Sequence, residues 1–196
     1  MLKETFELDK FEKVDKVISF VKANVYSIFV LLPLAALCVY IYIRVQSPTT
    51  DSFNGFAFSF NMLLGCFYSI FLIVLHELTH AFVFAFFCKN KHKSIKFGID
   101  KKTLSPYCHC KEILTISQYR LGGAAPLFTT GLLPFLIALI TGYSPLMVAS
   151  ILLIIGAGGD YTILLMLIKE EKTSFVEDHP TLVGCVVYRT LHEVDK

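Results

Sequence analysis

Residues 56–88 read FAFSFNMLLGCFYSIFLIVLHELTHAFVFAFFC, and this stretch decides the fold. Over 33 residues it is broken only by a few polar side chains and by His76, Glu77 and His80. Crossing ~30 Å of hydrocarbon by helix takes about 20 mostly apolar residues. The run exceeds that, which predicts a tilted span, or one whose membrane part begins near Met62 with Phe56–Asn61 at the far surface. Three further runs are as apolar: Val25–Ile43 and Leu121–Ile140, both without charge, and Leu146–Ile168, whose single charge is Asp160. None repeats a polar face at the 3.6-residue period that a soluble helical bundle needs.

Composition agrees. Of 196 residues 55% are hydrophobic, 14% aromatic and 17% charged, against about 25% charged in a soluble domain. Mean hydropathy is +0.62. These values exclude a disordered chain, a coiled coil and a nucleic-acid-binding tail. The net charge of +2 calls for no polyanionic partner and no nucleic acid. The first apolar run begins after 24 residues. It is about twice a signal-peptide core and lacks a small-residue cleavage site, so it reads as a retained helix.

Lys and Arg are distributed unevenly. Seventeen of the 18 lie in segments 1–24, 89–120 and 169–196, while loops 44–55 and 141–145 share only Arg44. The positive-inside rule therefore puts both termini and the 89–120 loop in the cytoplasm of a multi-pass cell-membrane protein. The six cysteines then sit in spans or on the reducing side, as free thiols.

Outside the spans, Leu8, Phe11, Val14, Ile18 and Val21 recur every three or four residues. That pattern predicts an amphipathic helix over 1–22, lying on the inner membrane surface or on the protein's own cytoplasmic face. Ile95–Ile99 and Ile113–Ile116, separated by Asp100–Pro106, predict a β-hairpin or two edge strands. The tail 169–196 reads as a soluble extension broken at Pro180. The expected fold is an all-α polytopic membrane protein of one domain, 1–196. It has four transmembrane helices (25–43, 56–88, 121–140, 146–168) and a small cytoplasmic β-hairpin between helices 2 and 3.

His76-Glu77-Leu78-Thr79-His80 is an H-E-x-x-H motif. On a helix, two histidines four apart share a face and can bind one Zn2+, with the adjacent Glu as general base. Each ionisable group deep in a bilayer costs about 2.5–3.5 kcal/mol, and a divalent cation is the simplest compensating partner for three of them. Catalytic zinc sites keep three protein ligands. Asp160 is the matching third ligand: it lies nine residues before Lys169, as His80 lies nine before Lys89, roughly 13 Å deep in each case at 1.5 Å per residue. Gly156-Ala157-Gly158-Gly159 just before it would allow close helix approach or a break that turns the carboxylate. Two other clusters are weaker. Cys108-His109-Cys110 lacks a second pair at zinc spacing and reads as a loop packed near the site. Asp178-His179-Pro180, at the wrong depth for a ligand, reads as a cap that positions the tail beneath it.

These motifs carry a resemblance. The chain resembles a bacterial family of small membrane zincin peptidases, a membrane domain of unknown function, over most of residues 55–190. The similarity rests on His76-Glu77-Leu78-Thr79-His80, the stretch Pro106–Glu112, Ala125-Pro126, Gly159-Asp160 and Asp178-His179-Pro180. It also resembles site-2-protease-type intramembrane metalloproteases. The resemblance implies a zinc site of His76, His80 and Asp160 with Glu77 as catalytic base, in a peptidase acting near the cytoplasmic leaflet on a membrane protein or peptide. Site-2 proteases set their Asp in Asn-Pro-Asp-Gly, whereas this chain has Gly158-Gly159-Asp160-Tyr161, which leaves the oxyanion donor unassigned. An inactive zinc-binding scaffold is the alternative. A metal or proton transporter fits less well, because nothing charged leads from His76 to the outer loop. The sequence does not set the oligomeric state.

Overall fold

The computed structural model describes residues 11–46, 55–101 and 105–191. In chain order the elements are β1 (Phe11–Val17), α1 (Phe20–Gln46), α2 (Gly55–Phe87), a short turn of 3-10 helix (Lys91–Ser94), β2 (Ile95–Ile99), β3 (Pro106–Cys110) and β4 (Leu114–Thr115). There follow α3 (Ile116–Pro126), a π-helical turn (Leu127–Leu132), α4 (Leu133–Thr141), α5 (Ser144–Gly156), α6 (Gly158–Leu167), β5 (Phe175–Asp178) and β6 (Gly184–Thr190).

Among the described residues four helical stretches are long and apolar enough to cross a membrane: Val21–Gln46, Ser59–Phe87, Ile116–Thr141 and Ser144–Leu167. Their large side chains point outward, with Phe29, Phe82, Phe86 and Ile140 each at least 75% exposed. That surface suits lipid and would be an association liability in water. The third stretch begins five residues before the expected Leu121. There Thr115 caps it reciprocally: Gln118 N–H donates to Thr115 Oγ1 (3.4 Å) and Thr115 N–H to Gln118 Oε1 (3.0 Å). Midway, Pro126 interrupts the ladder and the π-helical turn follows.

The helices pack through small residues. A Cβ added at Gly65 would lie 2.6 Å from Val148 Cβ, so α2 and α5 approach closely. α1 contributes Leu31, Ala35 and Cys38 to a buried cluster with Phe135, Ala138, Ile154 and Ala157.

At one end of the helices lies a four-stranded antiparallel sheet in the order β1-β6-β5-β4. Cys185, Val186, Val187 and Tyr188 of β6 are all buried, as in a strand covered on both faces. Val176, Cys185 and Val187 pack with Phe84, Ile116, Tyr119 and Leu167, which seats the sheet on the ends of α2, α3 and α6. Gly184 starts β6 at φ +140°, where a Cβ would meet Lys16 O at 2.1 Å, so only glycine fits. Glu170 ties β1 and β6 to the end of α6. It accepts from Arg189 Nε and Nη2, both at 2.9 Å, and from Lys16 Nζ at 2.8 Å. The Arg189 and Lys16 charges hold its carboxyl down at about 2.

Several expectations are corrected here. Phe11–Val17 is a strand, not part of an amphipathic helix, and pairs with β6 from Phe11↔Thr190 to Val17↔Gly184; residues 1–10 of that expected helix lie outside the described residues. Ile95–Ile99 pairs with Pro106–Cys110 rather than with 113–116. Leu114–Thr115 joins β5 instead. Cys108-His109-Cys110 is therefore strand, not loop. The tail supplies two strands, so the fold is mostly helical with two small sheets rather than all-α with one hairpin.

Candidate metal centre

His76 and His80 lie one turn apart on α2, both buried, with ring centroids 5.0 Å apart. Asp160 stands in the first turn of α6. Its Oδ2 is 3.1 Å from His76 Nε2 and its Oδ1 is 3.4 Å from His80 Nε2. The ligand atoms of these three residues all lie within 4.8 Å of one another.

The opposite ring nitrogens reveal the tautomers. His80 Nδ1 lies 2.9 Å from the Gly122 carbonyl, which only accepts, so Nδ1 carries the proton. Thr130 Oγ1 donates to the Pro126 carbonyl at 2.8 Å, leaving its lone pairs to accept from His76 Nδ1 at 3.4 Å. Both Nε2 atoms face the same carboxylate, and a divalent cation between the three would take the place of any proton they share. Histidine ligands oriented by a bond from the far nitrogen are the usual support of such a site. Two imidazoles and one carboxylate also match the ligand set of catalytic zinc, so the residues fit the ion.

Sequence reasoning brought His76, His80 and Asp160 together, and the geometry agrees. It missed Thr130 and the Gly122 carbonyl. Thr129-Thr130, four residues past Pro126 in an apolar span, was the available signal for the first. A backbone carbonyl leaves no signal beyond the glycine pair Gly122-Gly123.

Glu77 is not among the three converging residues. It lines the same cavity, of about 1030 Å³, and its carboxylate accepts from the backbone N–H of Cys108 on β3. Gly156 and Gly159 line that cavity too, and a Cβ on either would meet nothing within 4 Å. A separate groove of about 400 Å³ runs between α2 and the β2–β3 hairpin, lined by Val74, Leu78, Phe97, Ile99 and Tyr107, with Glu77 on its wall.

The two weaker clusters stay outside the ligand set. Cys110 Sγ lies 3.4 Å from Cys88 Sγ in the core. Burial first, and the Glu77 charge second, push the Cys108 thiol up to about 12. Asp178 braces three elements. Its carboxylate accepts from Tyr119 Oη on α3 and from Cys110 N–H on β3, each at 2.6 Å, and lies 3.6 Å from His109 Nδ1. Burial pushes its carboxyl up, and the Tyr119 and Cys110 hydrogen bonds oppose that. Glu112 clamps the end of α2, accepting from Lys89 N–H (2.8 Å), Asn90 N–H (3.0 Å) and Ser94 Oγ.

No curated protein and no solved structure matches the chain. A family model does, over residues 69–175, a range that holds the H-E-x-x-H motif and Asp160. With its two histidines and aspartate gathered as such a centre requires, the chain belongs to the family described as "putative zincin peptidase".

Proposed function

We propose that this chain is a zinc-dependent peptidase that hydrolyses peptide bonds of a membrane protein or membrane-bound peptide, within or beside the cytoplasmic leaflet. The observation that carries the reading is the convergence of His76 Nε2, His80 Nε2 and the Asp160 carboxylate inside an apolar helix bundle. A Zn2+ ion held there supplies Lewis acidity, polarising a carbonyl and making water a better nucleophile near neutral pH.

The chain's own residues do the rest. Glu77, next to the first ligand, takes a proton from the attacking water on its carboxylate and delivers it to the leaving amine. The Cys108 N–H fixes that carboxylate. A substrate helix hides its carbonyls, so it must be extended before attack. The apolar groove between α2 and the β2–β3 hairpin, with Glu77 on its wall, suits an extended chain added to the hairpin edge. Whole-chain orientation, with termini and hairpin on the cytoplasmic side, is supported by the Lys and Arg asymmetry.

A zinc-binding scaffold without turnover is favoured by one feature, the absence of the Asn two residues before Asp160. Glu77→Gln separates the two in full-length protein in lipid nanodiscs, assayed for zinc content and for cleavage of a fluorogenic peptide library. The peptidase reading expects zinc retained and turnover lowered about 10²–10⁴-fold. Equal activity in Glu77→Gln, or no cleavage by the zinc-loaded native chain, overturns it.

A further inference from the structure

We propose that Asp178 is a positioning residue for Glu77, acting through strand β3. The inference rests on the peptidase reading, in which the Glu77 carboxylate must meet the attacking water in one orientation.

One edge of β3 pairs with β2, from Pro106↔Ile99 to Cys110↔Ile95, and among the described residues no strand pairs with the other. In an antiparallel ladder, alternate residues turn their N–H groups to the same edge. Cys110 N–H points away from β2, to Asp178 Oδ2 at 2.6 Å. Cys108 N–H shares that open edge, and it meets the Glu77 carboxylate. Pro106, the next residue of the set, has no N–H to offer. The open edge of β3 therefore gives both of its donors to carboxylates, one from β5 and one from α2. The two donors are one strand repeat apart, roughly 7 Å, so a shift of the strand at Cys110 is a shift at Cys108.

Asp178 is itself fixed against the ligand-bearing helix. Its backbone pairs with Cys185 inside the four-stranded sheet. Its Oδ1 accepts from Tyr119 Oη on α3 at 2.6 Å. The buried Tyr119 ring lies 5.6 Å from that of Phe84, which in turn stacks on His80 with centroids 6.0 Å apart and planes within 9°. Asp178 thus sets β3 against the same side chains that seat His80. With that anchor removed, the Cys108 N–H and the Glu77 carboxylate drift together with the hairpin, and the bond between them no longer fixes the base. A misplacement of about 1 Å in a reacting group costs up to about 100-fold in rate.

The test uses the full chain in nanodiscs, as Asp178→Ala, as Asp178→Asn, which keeps one carbonyl acceptor, and as Tyr119→Phe. Each is made with Glu77 native and with Glu77→Gln. Amide hydrogen exchange is read on the metal-free protein. Asp178→Ala should lose protection at Cys108, whose own acceptor is untouched, while His109, whose N–H faces β2, keeps its protection. On the zinc-loaded protein with a cleaved fluorogenic peptide, zinc content and KM should stay native and kcat should fall about 10–100-fold. Asp178→Asn should recover part of that loss. In the Glu77→Gln background Asp178→Ala should lower kcat no further, because a residue acting through Glu77 has nothing left to position. Tyr119→Phe, which leaves the Cys110 bond in place, should show the same pattern to a smaller degree, and it decides the outcome if Asp178→Ala does not fold. Native exchange at Cys108, native kcat, loss of zinc, a raised KM at native kcat, or an equal loss of kcat in both backgrounds overturns the proposal and leaves the peptidase reading intact. A native chain that holds no zinc or cleaves no peptide overturns the peptidase reading first, and this proposal with it.

Discussion

Replacing Thr130 by valine keeps the side chain's shape and removes only the hydroxyl. Thr130 is 2% exposed, so water cannot substitute for what is lost. Its Oγ1 donates to the Pro126 carbonyl at 2.8 Å and accepts from His76 Nδ1 at 3.4 Å. Valine strands both groups, and each buried orphan costs about 1–3 kcal/mol. The Pro126 loss falls equally on the metal-free and metal-bound protein, so it cancels from the zinc Kd and appears only as lower stability. The His76 loss does not cancel. Without an acceptor at Nδ1 the ring proton is free to sit on Nε2, where it competes with the metal. Supporting bonds of this kind are worth about 10–100-fold in metal affinity. The 3.4 Å separation puts Thr130 at the lower end, near tenfold or about 1.4 kcal/mol.

Thr129 supplies the control. It belongs to the same π-helical turn, and its Oγ1 bonds Ala125 O (3.2 Å) and Thr79 Oγ1 (3.1 Å), with no imidazole partner. Competitive titration of zinc against a chromophoric chelator, in detergent, reads the difference. The expected order of Kd has the native chain, Thr129→Val and Thr130→Ser together, with Thr130→Val weaker. Equal affinities for Thr130→Val and Thr129→Val refute the assigned tautomer and the role of the π-helical turn.

Two further outcomes follow from the sheet. Glu170 is held at about 2 against an ordinary 4.5, so its ion pairs add stability above the unfolded value and lose it as pH falls from 4.5 toward 2; the extra thermal stability of the native chain over Glu170→Gln, constant near pH 6–7, should vanish across that window, and a pH-independent difference contradicts the pairing. Gly184→Ala forces a Cβ to 2.1 Å from Lys16 O and 2.8 Å from Val17 Cα, so β1 must separate from β6; a loss of at least about 1–3 kcal/mol should appear as a lower Tm and as new proteolysis around residues 18–19, and an unchanged Tm contradicts the register.

What the sequence revealed was what depends on length and depth. The four apolar runs became helices long and apolar enough to cross a membrane, because that property is a matter of consecutive apolar residues, readable locally. Asp160 stands beside His76 and His80, as its distance from Lys169, equal to that of His80 from Lys89, led one to expect. What stayed hidden depends on partners far away in the chain. Phe11, Val14 and Ile18 have helical spacing, yet β6, more than 160 residues later, offers seven ladder pairs to Phe11–Val17, and no local period reports that. Ile113–Ile116 looked like the return strand of the hairpin, but Thr115 and Gln118 formed a capping box that started α3 there. Cys108-His109-Cys110 then took the return position. The turn that supports the metal centre was also hidden, because a π-helical turn after Pro126 shifts the phase of the helix and carries Thr130 round to His76.

X-ray absorption at the zinc edge of the purified full-length chain, prepared without chelator, tests the central claim most directly. The account predicts one zinc per chain with a first shell of nitrogen and oxygen at about 2.0–2.1 Å, imidazole scattering from two histidines, and loss of an oxygen neighbour in Asp160→Ala. A zinc-free protein, or a shell of sulfur at about 2.3 Å drawn from Cys88, Cys108 and Cys110, would contradict it.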